Sequence, residues 1–171
     1  MVITMSNIIF VGMPASGKST VGVLLAKALA MDFVDTDILI QKKTGKRLEE
    51  LIRENGVDGF LRIEEKVCAA LEANDSVIAT GGSVVYSQDA VDHLKSIGTV
   101  VYLQVDFDVL KNRLKDVIER GVIIKNGQTL EDLYNERVLL YEKYADITIQ
   151  EKRMSLDETV KEVHKIVVML R

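Results

Sequence analysis

Cysteine and proline are almost absent from this 171-residue chain, which contains one of each, Cys68 and Pro14. One cysteine cannot form an intrachain disulfide, and a catalytic cysteine would need a partner such as His93 or His164, the only histidines. We therefore interpret Cys68 as a small buried apolar residue. Because no stretch is rich in proline or serine, no linker is predicted, and we expect one domain over residues 1–171.

Positive charge and long apolar runs are scarce as well. The 22 lysines and arginines are outnumbered by 26 acidic residues, giving a net charge of -4, which argues against general binding to nucleic acid or anionic membranes. No apolar run approaches the roughly 20 residues of a membrane-spanning helix, and the first residues lack a charged-then-apolar export signal. We expect a cytoplasmic monomer.

Apolar runs rich in valine and isoleucine recur along the chain, and the longer segments between them have helical spacing. The runs are NIIFVGM, DFVDTD, SVIAT, TVVYLQV and DITIQ. This alternation predicts an α/β fold in which helices cover a parallel sheet. Residues 38–74, between the second and third runs, are long enough for two or three helices and are predicted to form a substrate-binding subdomain. Residues 115–128 are predicted to form a mobile lid, with a plain surface loop as the alternative.

A glycine-rich loop follows the first predicted strand and precedes a helix beginning near Ser19. Its sequence fits the pattern G-x-x-x-x-G-K-[ST]. In such a loop, backbone N–H groups and the helix N-terminus face phosphate oxygens, a lysine reaches the β- and γ-phosphates, and a hydroxyl ligates magnesium. We predict binding of ATP and Mg²⁺, the alternative being a glycine turn that binds nothing. The predicted nucleotide-binding residues are Gly12, Ala15, Ser16, Gly17, Lys18, Ser19 and Thr20.

Two aspartates, Asp35 and Asp37, stand at the end of the second predicted strand. Because side chains alternate along a strand, both carboxylates are expected on one face, at the carboxyl edge where parallel sheets bind ligands. One carboxylate would orient a magnesium-bound water, and the other would hold an acceptor hydroxyl and take up its proton. Alternatively, one of them caps the following helix.

Glycines and inward-facing charges indicate where an acceptor would bind. Gly81 and Gly82 follow the third predicted strand, where they would let an acceptor touch the backbone, although a tight turn explains them nearly as well. Helical spacing places Glu64 and Arg137 within the apolar faces of their helices. An inward charge needs a partner of opposite sign or several hydrogen bonds, so these residues either serve the acceptor pocket or form a buried structural pair.

Taken together, these motifs resemble the shikimate kinase family across nearly the whole chain. The shared features are a P-loop with Ser19 and Thr20, the Asp35-Thr36-Asp37 tripeptide, a phenylalanine segment ending at Glu64, a glycine-rich turn at Gly81, a lid arginine at Arg120, and Arg137 four residues before Tyr141. The resemblance implies a nucleoside-kinase-like fold with five parallel strands in the order 2-3-1-4-5. It also implies ATP-dependent phosphorylation of one ring hydroxyl of shikimate.

Roles for individual residues also follow from the resemblance. By position, Asp37 would bind the acceptor hydroxyls, Asp35 would bind the magnesium water, and Arg137 would bind the acceptor carboxylate. Arg120 would act from the lid, and Arg113 would lie against adenine. The predicted catalytic residues are Lys18, Asp37 and Arg120, and the predicted metal-binding residues are Ser19 and Asp35. The predicted substrate-binding residues are Asp37, Glu64, Gly81, Gly82 and Arg137.

The chain departs from the family pattern where the acceptor should bind. An arginine follows the phenylalanine in the family, whereas this chain has Leu61, with Arg62 one place later and roughly 100° further round the helix. Ser83 replaces the third glycine of a triplet, and Leu139 replaces a proline. Arg47 stands where the family has a small hydroxyl residue. If shikimate is the substrate, Arg47 or Arg62 is the nearest candidate for a second cation, the alternative for Arg47 being that it is simply an exposed residue.

The sequence predicts an ATP-dependent small-molecule kinase with shikimate as the first candidate acceptor. The alternative within enzymes is a kinase for another hydroxy acid or a sugar acid such as gluconate. A nucleotide-binding regulatory protein without transfer activity is the alternative from a different class, and the doubled aspartate together with Arg120 argues against it.

Overall fold

The predicted strands form one parallel sheet in the computed structural model of the protein, which describes residues 7–114, 127–151 and 154–169. The sheet has five strands in the order β2-β3-β1-β4-β5, and every neighbouring pair is parallel. The strands are β1 (Asn7–Val11), β2 (Asp32–Asp35), β3 (Ser76–Ala79), β4 (Gly98–Gln104) and β5 (Ile147–Gln150). Both the α/β class and the strand order are confirmed.

Helices connect the strands and cover both faces of the sheet. They are α1 (Lys18–Leu29), α2 (Thr36–Thr44), α3 (Leu48–Ala69), α4 (Gln88–Ile97), α5 (Phe107–Leu114), α6 (Leu130–Tyr144) and α7 (Leu156–Met169), with a short 3-10 helix at Val84–Tyr86. No helix within the described ranges is both long enough and apolar enough to cross a membrane.

The central strand β1 divides its side chains between two cores. Ile9 and Val11 belong to the cluster that includes Tyr102 and residues of α3, α4 and α6. Ile8 and Phe10 belong to the opposite cluster, which includes residues of α1 and α7. The continuous apolar run of β1 is therefore explained by burial on both faces, as expected for an inner strand of a parallel sheet.

The long crossover between β2 and β3 contains α2 and α3, in agreement with the two or three helices predicted there. Helix α3 is interrupted at Gly56, whose φ of 69° and ψ of 179° are not helical. A separate apolar cluster of Ile40, Leu51, Phe60 and Val67 joins α2 to α3. This packing fixes the helices beside the carboxyl edge of the sheet. The predicted lid, 115–128, lies outside the described residues except for its last two positions.

Candidate functional site

The loop between β1 and α1 surrounds the buried side chain of Lys18. Lys18 Nζ donates hydrogen bonds to the carbonyl oxygens of Gly12 and Met13, each at 2.8 Å, and approaches Ser16 Oγ at 3.4 Å. Gly12 and Gly17 have φ angles of 149° and 89°. Burial lowers the pKa of Lys18 to about 8, and the nearby Asp37 carboxylate partly opposes this effect. The loop thus presents an ammonium group at a helix N-terminus, an arrangement suited to phosphate.

Ser19 joins this loop to the end of β2. Its hydroxyl donates to Asp35 Oδ2 at 2.7 Å. The other carboxylate oxygen, Asp35 Oδ1, accepts hydrogen bonds from the backbone N–H groups of Asp37 at 3.0 Å and Ile38 at 3.3 Å. Asp35 therefore caps α2, the alternative considered from sequence, and its Oδ2 also faces the first turn of α1.

Asp37 does not lie on a strand, so the prediction that Asp35 and Asp37 share one strand face is wrong. Strand β2 ends at Asp35, and Asp37 lies in the first turn of α2 because the Asp35 cap starts a helix there. The two carboxylates are still neighbours. Burial, together with the charge of Asp35, raises the pKa of Asp37, while Lys18 lowers it. Asp37 is thus a partly buried carboxylate between a cation and another carboxylate.

Gly81 and Gly82 allow charged side chains to approach the backbone closely. A Cβ atom at Gly81 would overlap Glu64 Oε1 and lie 3.0 Å from Asp37 Oδ1. A Cβ atom at Gly82 would lie 2.8 Å from Pro14 Cδ and 3.0 Å from Arg137 Nη1. Any side chain at these two positions would displace the charged groups, so close approach rather than turn geometry explains both glycines.

Glu64 and Arg137 both face inward, as predicted from helical spacing, with exposed fractions of 2% and 1%. Ser83 Oγ donates to Glu64 Oε2 at 2.5 Å. Burial raises the pKa of Glu64 to about 7, an effect that the Ser83 hydrogen bond opposes. Arg137 Nε donates to Tyr86 Oη at 3.3 Å, and its guanidinium group lies over the Tyr86 ring, 5.3 Å from the ring centre.

Arg113 contacts the glycine-rich loop through a backbone carbonyl group. Its Nη1 donates to the Ala15 carbonyl at 3.2 Å and to Glu151 Oε2 at 3.1 Å, and its Nη2 donates to Glu151 Oε1 at 3.4 Å. The predicted adenine contact of Arg113 stays a prediction. Ser16 is buried and Thr20 is exposed at the start of α1. Arg120 lies outside the described residues.

A cavity of about 100 Å³ opens beside Glu64. Its lining includes Leu61, Arg62, Ser83 and Tyr86, so it adjoins the tyrosine that contacts Arg137. Arg47, at the start of α3, does not line this cavity, and both arginines are exposed. Of the two arginines considered as a second cation, the cavity wall contains Arg62.

Several supporting residues were not singled out by the sequence reasoning. The hydroxyl of Thr36 accepts a hydrogen bond from the Gly81 N–H at 3.1 Å, and Tyr141 Oη donates to the Gly82 carbonyl at 2.5 Å. Tyr141 is fully buried, and its hydrogen bond also holds the glycine turn. Tyr86, the partner of Arg137, and Glu151, the partner of Arg113, belong to no sequence motif. A buried tyrosine needs a hydrogen-bond partner, which was the available signal for Tyr141.

The oxygen atoms around Ser19 suit a magnesium ion that is held partly by waters and phosphates, rather than a metal ion held by protein side chains alone. Among the residues that the structure describes, no group of three or more histidine, cysteine, aspartate or glutamate side chains could hold a metal ion. The hydroxyl of Ser19 and the carboxylate of Asp35 are oxygen donors 2.7 Å apart, of the kind that magnesium prefers. Magnesium at phosphate sites is held by one or two such groups together with waters and substrate phosphates.

The chain has close similarity to known proteins along almost its full length. A family model described as shikimate kinase matches residues 14–168. A shikimate kinase of Clostridium botulinum (strain Eklund 17B / Type B) is 38% identical over 168 residues, covering 96% of this chain and 99% of the relative. The solved structure of a shikimate kinase from Acinetobacter baumannii in complex with shikimate superposes with a TM-score of 0.88 at 28% identity, covering 98% of this chain and 96% of that one. The shikimate kinase of Aquifex aeolicus superposes with a TM-score of 0.79 at 32% identity, covering 95% and 96%.

Proposed function

Because the chain belongs to the shikimate kinase family, we propose that it transfers the γ-phosphoryl group of ATP to a ring hydroxyl of shikimate, with Mg²⁺ as the metal ion. The observation that carries this proposal is the meeting of Lys18, Asp37 and Glu64 at the carboxyl edge of the sheet, where each affects the ionisation of at least one of the others. A phosphate-binding loop and an acceptor pocket thus share one site.

The glycine-rich loop and the first turn of α1 would hold the triphosphate. The N–H groups of the loop and the Lys18 ammonium group would neutralise phosphate charge, which is the main contribution of a protein to phosphoryl transfer. Ser19 and Asp35 would hold Mg²⁺ directly or through water. The proposed nucleotide-binding residues remain Gly12, Ala15, Ser16, Gly17, Lys18, Ser19 and Thr20, with Arg113 beside the base.

The acceptor would bind between α2, α3, α6 and the glycine turn. Asp37 would accept a hydrogen bond from the attacking hydroxyl and take up its proton, a role favoured by its raised pKa. The buried guanidinium group of Arg137 would pair with the carboxylate of the acceptor. Glu64, Gly81 and Gly82 would complete the pocket wall. Arg120, which lies outside the described residues, is predicted to stabilise the phosphoryl group during transfer when the lid closes.

The alternative acceptors are less well supported. Identity of 38% with a shikimate kinase over 96% of this chain favours shikimate over gluconate or another hydroxy acid. A regulatory protein without transfer activity is disfavoured because a partly buried carboxylate, Asp37, stands beside Lys18 of the glycine-rich loop. The cytoplasmic location and the monomeric state expected from the sequence stay predictions.

The direct test is to measure ATP consumption and the phosphorylated product with shikimate, gluconate, other hydroxy acids and nucleosides as acceptors. Wild-type protein is expected to phosphorylate shikimate with the highest kcat/KM. Lys18→Met and Asp37→Asn should each lower kcat at least about a hundredfold, through lost charge stabilisation and lost proton transfer. Lys27→Met, an exposed lysine on the same helix α1, is the matched control and should keep normal turnover.

Two outcomes would contradict the proposal. Absence of product at millimolar shikimate, with turnover of another acceptor, would reject shikimate as the substrate. Slow ATP loss without any phosphorylated acceptor would favour the regulatory alternative.

A further inference from the structure

The two carboxylate oxygens of Glu64 have different surroundings. Oε2 accepts the hydrogen bond from Ser83 Oγ at 2.5 Å, a length typical of an O–H group bound to an ionised carboxylate. Oε1 is buried and has no hydrogen-bond partner among the described residues. A buried polar atom without a protein partner is costly, so it requires an explanation such as a bound water, an ion or a role in the site.

The unpartnered oxygen lies against the backbone of Gly81, beside the Asp37 carboxylate. Glu64 Oε1 and Asp37 Oδ1 both approach the position that a Cβ atom would occupy on Gly81. The Gly81 N–H is already bound to Thr36 Oγ1, so it cannot satisfy Glu64 without giving up this partner. Two carboxylate oxygens converging on one bare backbone position suit a ligand with neighbouring hydroxyl groups, because each oxygen can accept one O–H hydrogen bond.

The hydrogen bond from Ser83 determines which carboxylate oxygen of Glu64 is left without a partner. Ser83 is 6% exposed and precedes the short 3-10 helix, with φ of -94° and ψ of -5°. These angles lie in a region open to L-residues in general, so the backbone at this position does not specifically require serine. Its specific contribution is the hydroxyl, which holds one end of the Glu64 carboxylate and thereby turns the other end towards Gly81.

We propose that Ser83 is a positioning residue of the acceptor pocket: its hydroxyl fixes the Glu64 carboxylate so that Oε1 accepts a hydroxyl of the substrate beside Asp37. This inference rests on the proposed function for the identity of the ligand. Ser83 itself does not touch the substrate in this proposal, and its effect is transmitted through Glu64.

The electrostatic surroundings make this effect measurable by pH. The ionisable groups that surround Glu64 are Asp37 on α2, Lys18 on α1, Arg137 and Tyr141 on α6, and Cys68 on α3 itself. Burial and Asp37 raise the pKa of Glu64, whereas Ser83, Arg137 and Lys18 lower it. Removal of the Ser83 hydroxyl should therefore raise the pKa of Glu64 further, so that less of the carboxylate is ionised at neutral pH.

The experiment compares wild type, Ser83→Ala and Ser83→Thr. Values of KM for shikimate, KM for ATP and kcat are measured between pH 6 and pH 9. Ser83→Ala should raise KM for shikimate about tenfold at pH 7, the size expected for one lost charge-assisted hydrogen bond, and less at pH 9, where Glu64 is ionised again. KM for ATP should stay unchanged. Ser83→Thr keeps a hydroxyl and should restore the wild-type profile, and Ser96→Ala, an exposed serine on α4, is the control.

A second measurement does not depend on the substrate. Titration of the Glu64 side-chain carboxyl by carbon-13 NMR, without ligand, should give a higher pKa in Ser83→Ala than in wild type. An unchanged titration, or equal changes in KM for ATP and shikimate, would overturn the role of Ser83 whatever the substrate is. A shifted titration in a protein that does not phosphorylate shikimate would reject the proposed function and retain the contact between Ser83 and Glu64.

Discussion

Arg113 and Glu151 form a two-pronged ion pair that ties the end of α5 to the end of β5. Both guanidinium nitrogens Nη1 and Nη2 donate to the carboxylate, at 3.1 Å and 3.4 Å, and Nη1 also donates to the Ala15 carbonyl in the glycine-rich loop. The Glu151 side chain is only 9% exposed, whereas that of Arg113 is 39% exposed. The pair thus presents one planar cation next to the phosphate-binding loop.

Glu151→Gln should weaken ATP binding without affecting the acceptor. Glutamine keeps the size of the side chain but loses the charge that orients the guanidinium group, and solvent at the more exposed Arg113 screens the pair. We expect KM for ATP to rise about two- to fivefold, with KM for shikimate unchanged. Glu162→Gln, an exposed glutamate on α7, is the control. Equal effects on both substrates would indicate general destabilisation instead.

Ser19→Ala and Asp35→Asn should each raise the Mg²⁺ concentration needed for half-maximal activity. Each variant removes one oxygen ligand or its charge from the proposed metal site. Asparagine is a good helix cap, so Asp35→Asn should leave α2 folded and separate the metal effect from capping. Activity is measured against free Mg²⁺ at saturating ATP. An unchanged Mg²⁺ dependence in both variants would contradict this assignment, and Ser96→Ala serves as the unaffected reference.

The sheet and the phosphate loop could be predicted from sequence because their signals are local. The β1 strand is a run of apolar residues buried on both faces. The residues of the phosphate loop around Lys18 all lie within one short stretch of sequence, so the motif can be recognised without the fold. Inward-facing charges at Glu64 and Arg137 were also predictable, since the helical period relates a residue to its neighbours three and four positions away.

Contacts between distant segments were not predictable in the same way. The hydrogen bond between Glu64 and Ser83 depends on how α3 packs against the turn after β3, and neither residue alone indicates it. The placement of Asp37 was wrong because strand alternation was extended past Asp35, where the helix cap ends the strand. The partner of Arg113 lies 38 positions along the chain and belongs to no motif.

Glu64 should make the stability of the protein depend on pH in a defined window. Its pKa rises from an ordinary 4.5 to about 7 in the fold, so between these values the folded protein binds the proton more tightly than the unfolded chain. The free energy of unfolding contributed by this group therefore falls as pH rises from about 4.5 to about 7 and is constant above. The loss amounts to about 3 kcal/mol at most.

Glu64→Gln removes this titration while keeping a side chain of the same size. The melting temperature of Glu64→Gln relative to wild type should therefore increase between pH 5 and pH 8, by about 5 to 10 °C for the full effect. Thermal unfolding without ligand measures the difference, and Glu72→Gln, an exposed residue, should follow wild type at every pH. A constant difference between pH 5 and pH 8 would show that Glu64 does not titrate in this window.

Arg62, and not Arg47, is expected to supply the second cation for the acceptor carboxylate. Both arginines are exposed, but Arg62 lines the cavity beside Leu61 and Tyr86, whereas Arg47, at the start of α3, does not. A lost charge-assisted hydrogen bond is worth about 1.5 to 3 kcal/mol, or one to two powers of ten in binding. Arg62→Ala should accordingly raise KM for shikimate at least about tenfold with little change in KM for ATP, and Arg47→Ala should change neither.

A second substitution tests whether the cation itself or the fold of α3 is responsible. Leu61→Arg, combined with Arg62→Ala, places a guanidinium group one residue earlier on the same helix, roughly 100° round its axis. This double variant should recover much of the shikimate binding that Arg62→Ala loses, because the cavity wall regains a positive charge beside Tyr86. If Arg62→Ala leaves KM for shikimate unchanged while Arg47→Ala raises it, the assignment to Arg62 is wrong. If neither variant changes it, Arg137 holds the carboxylate without help from either arginine.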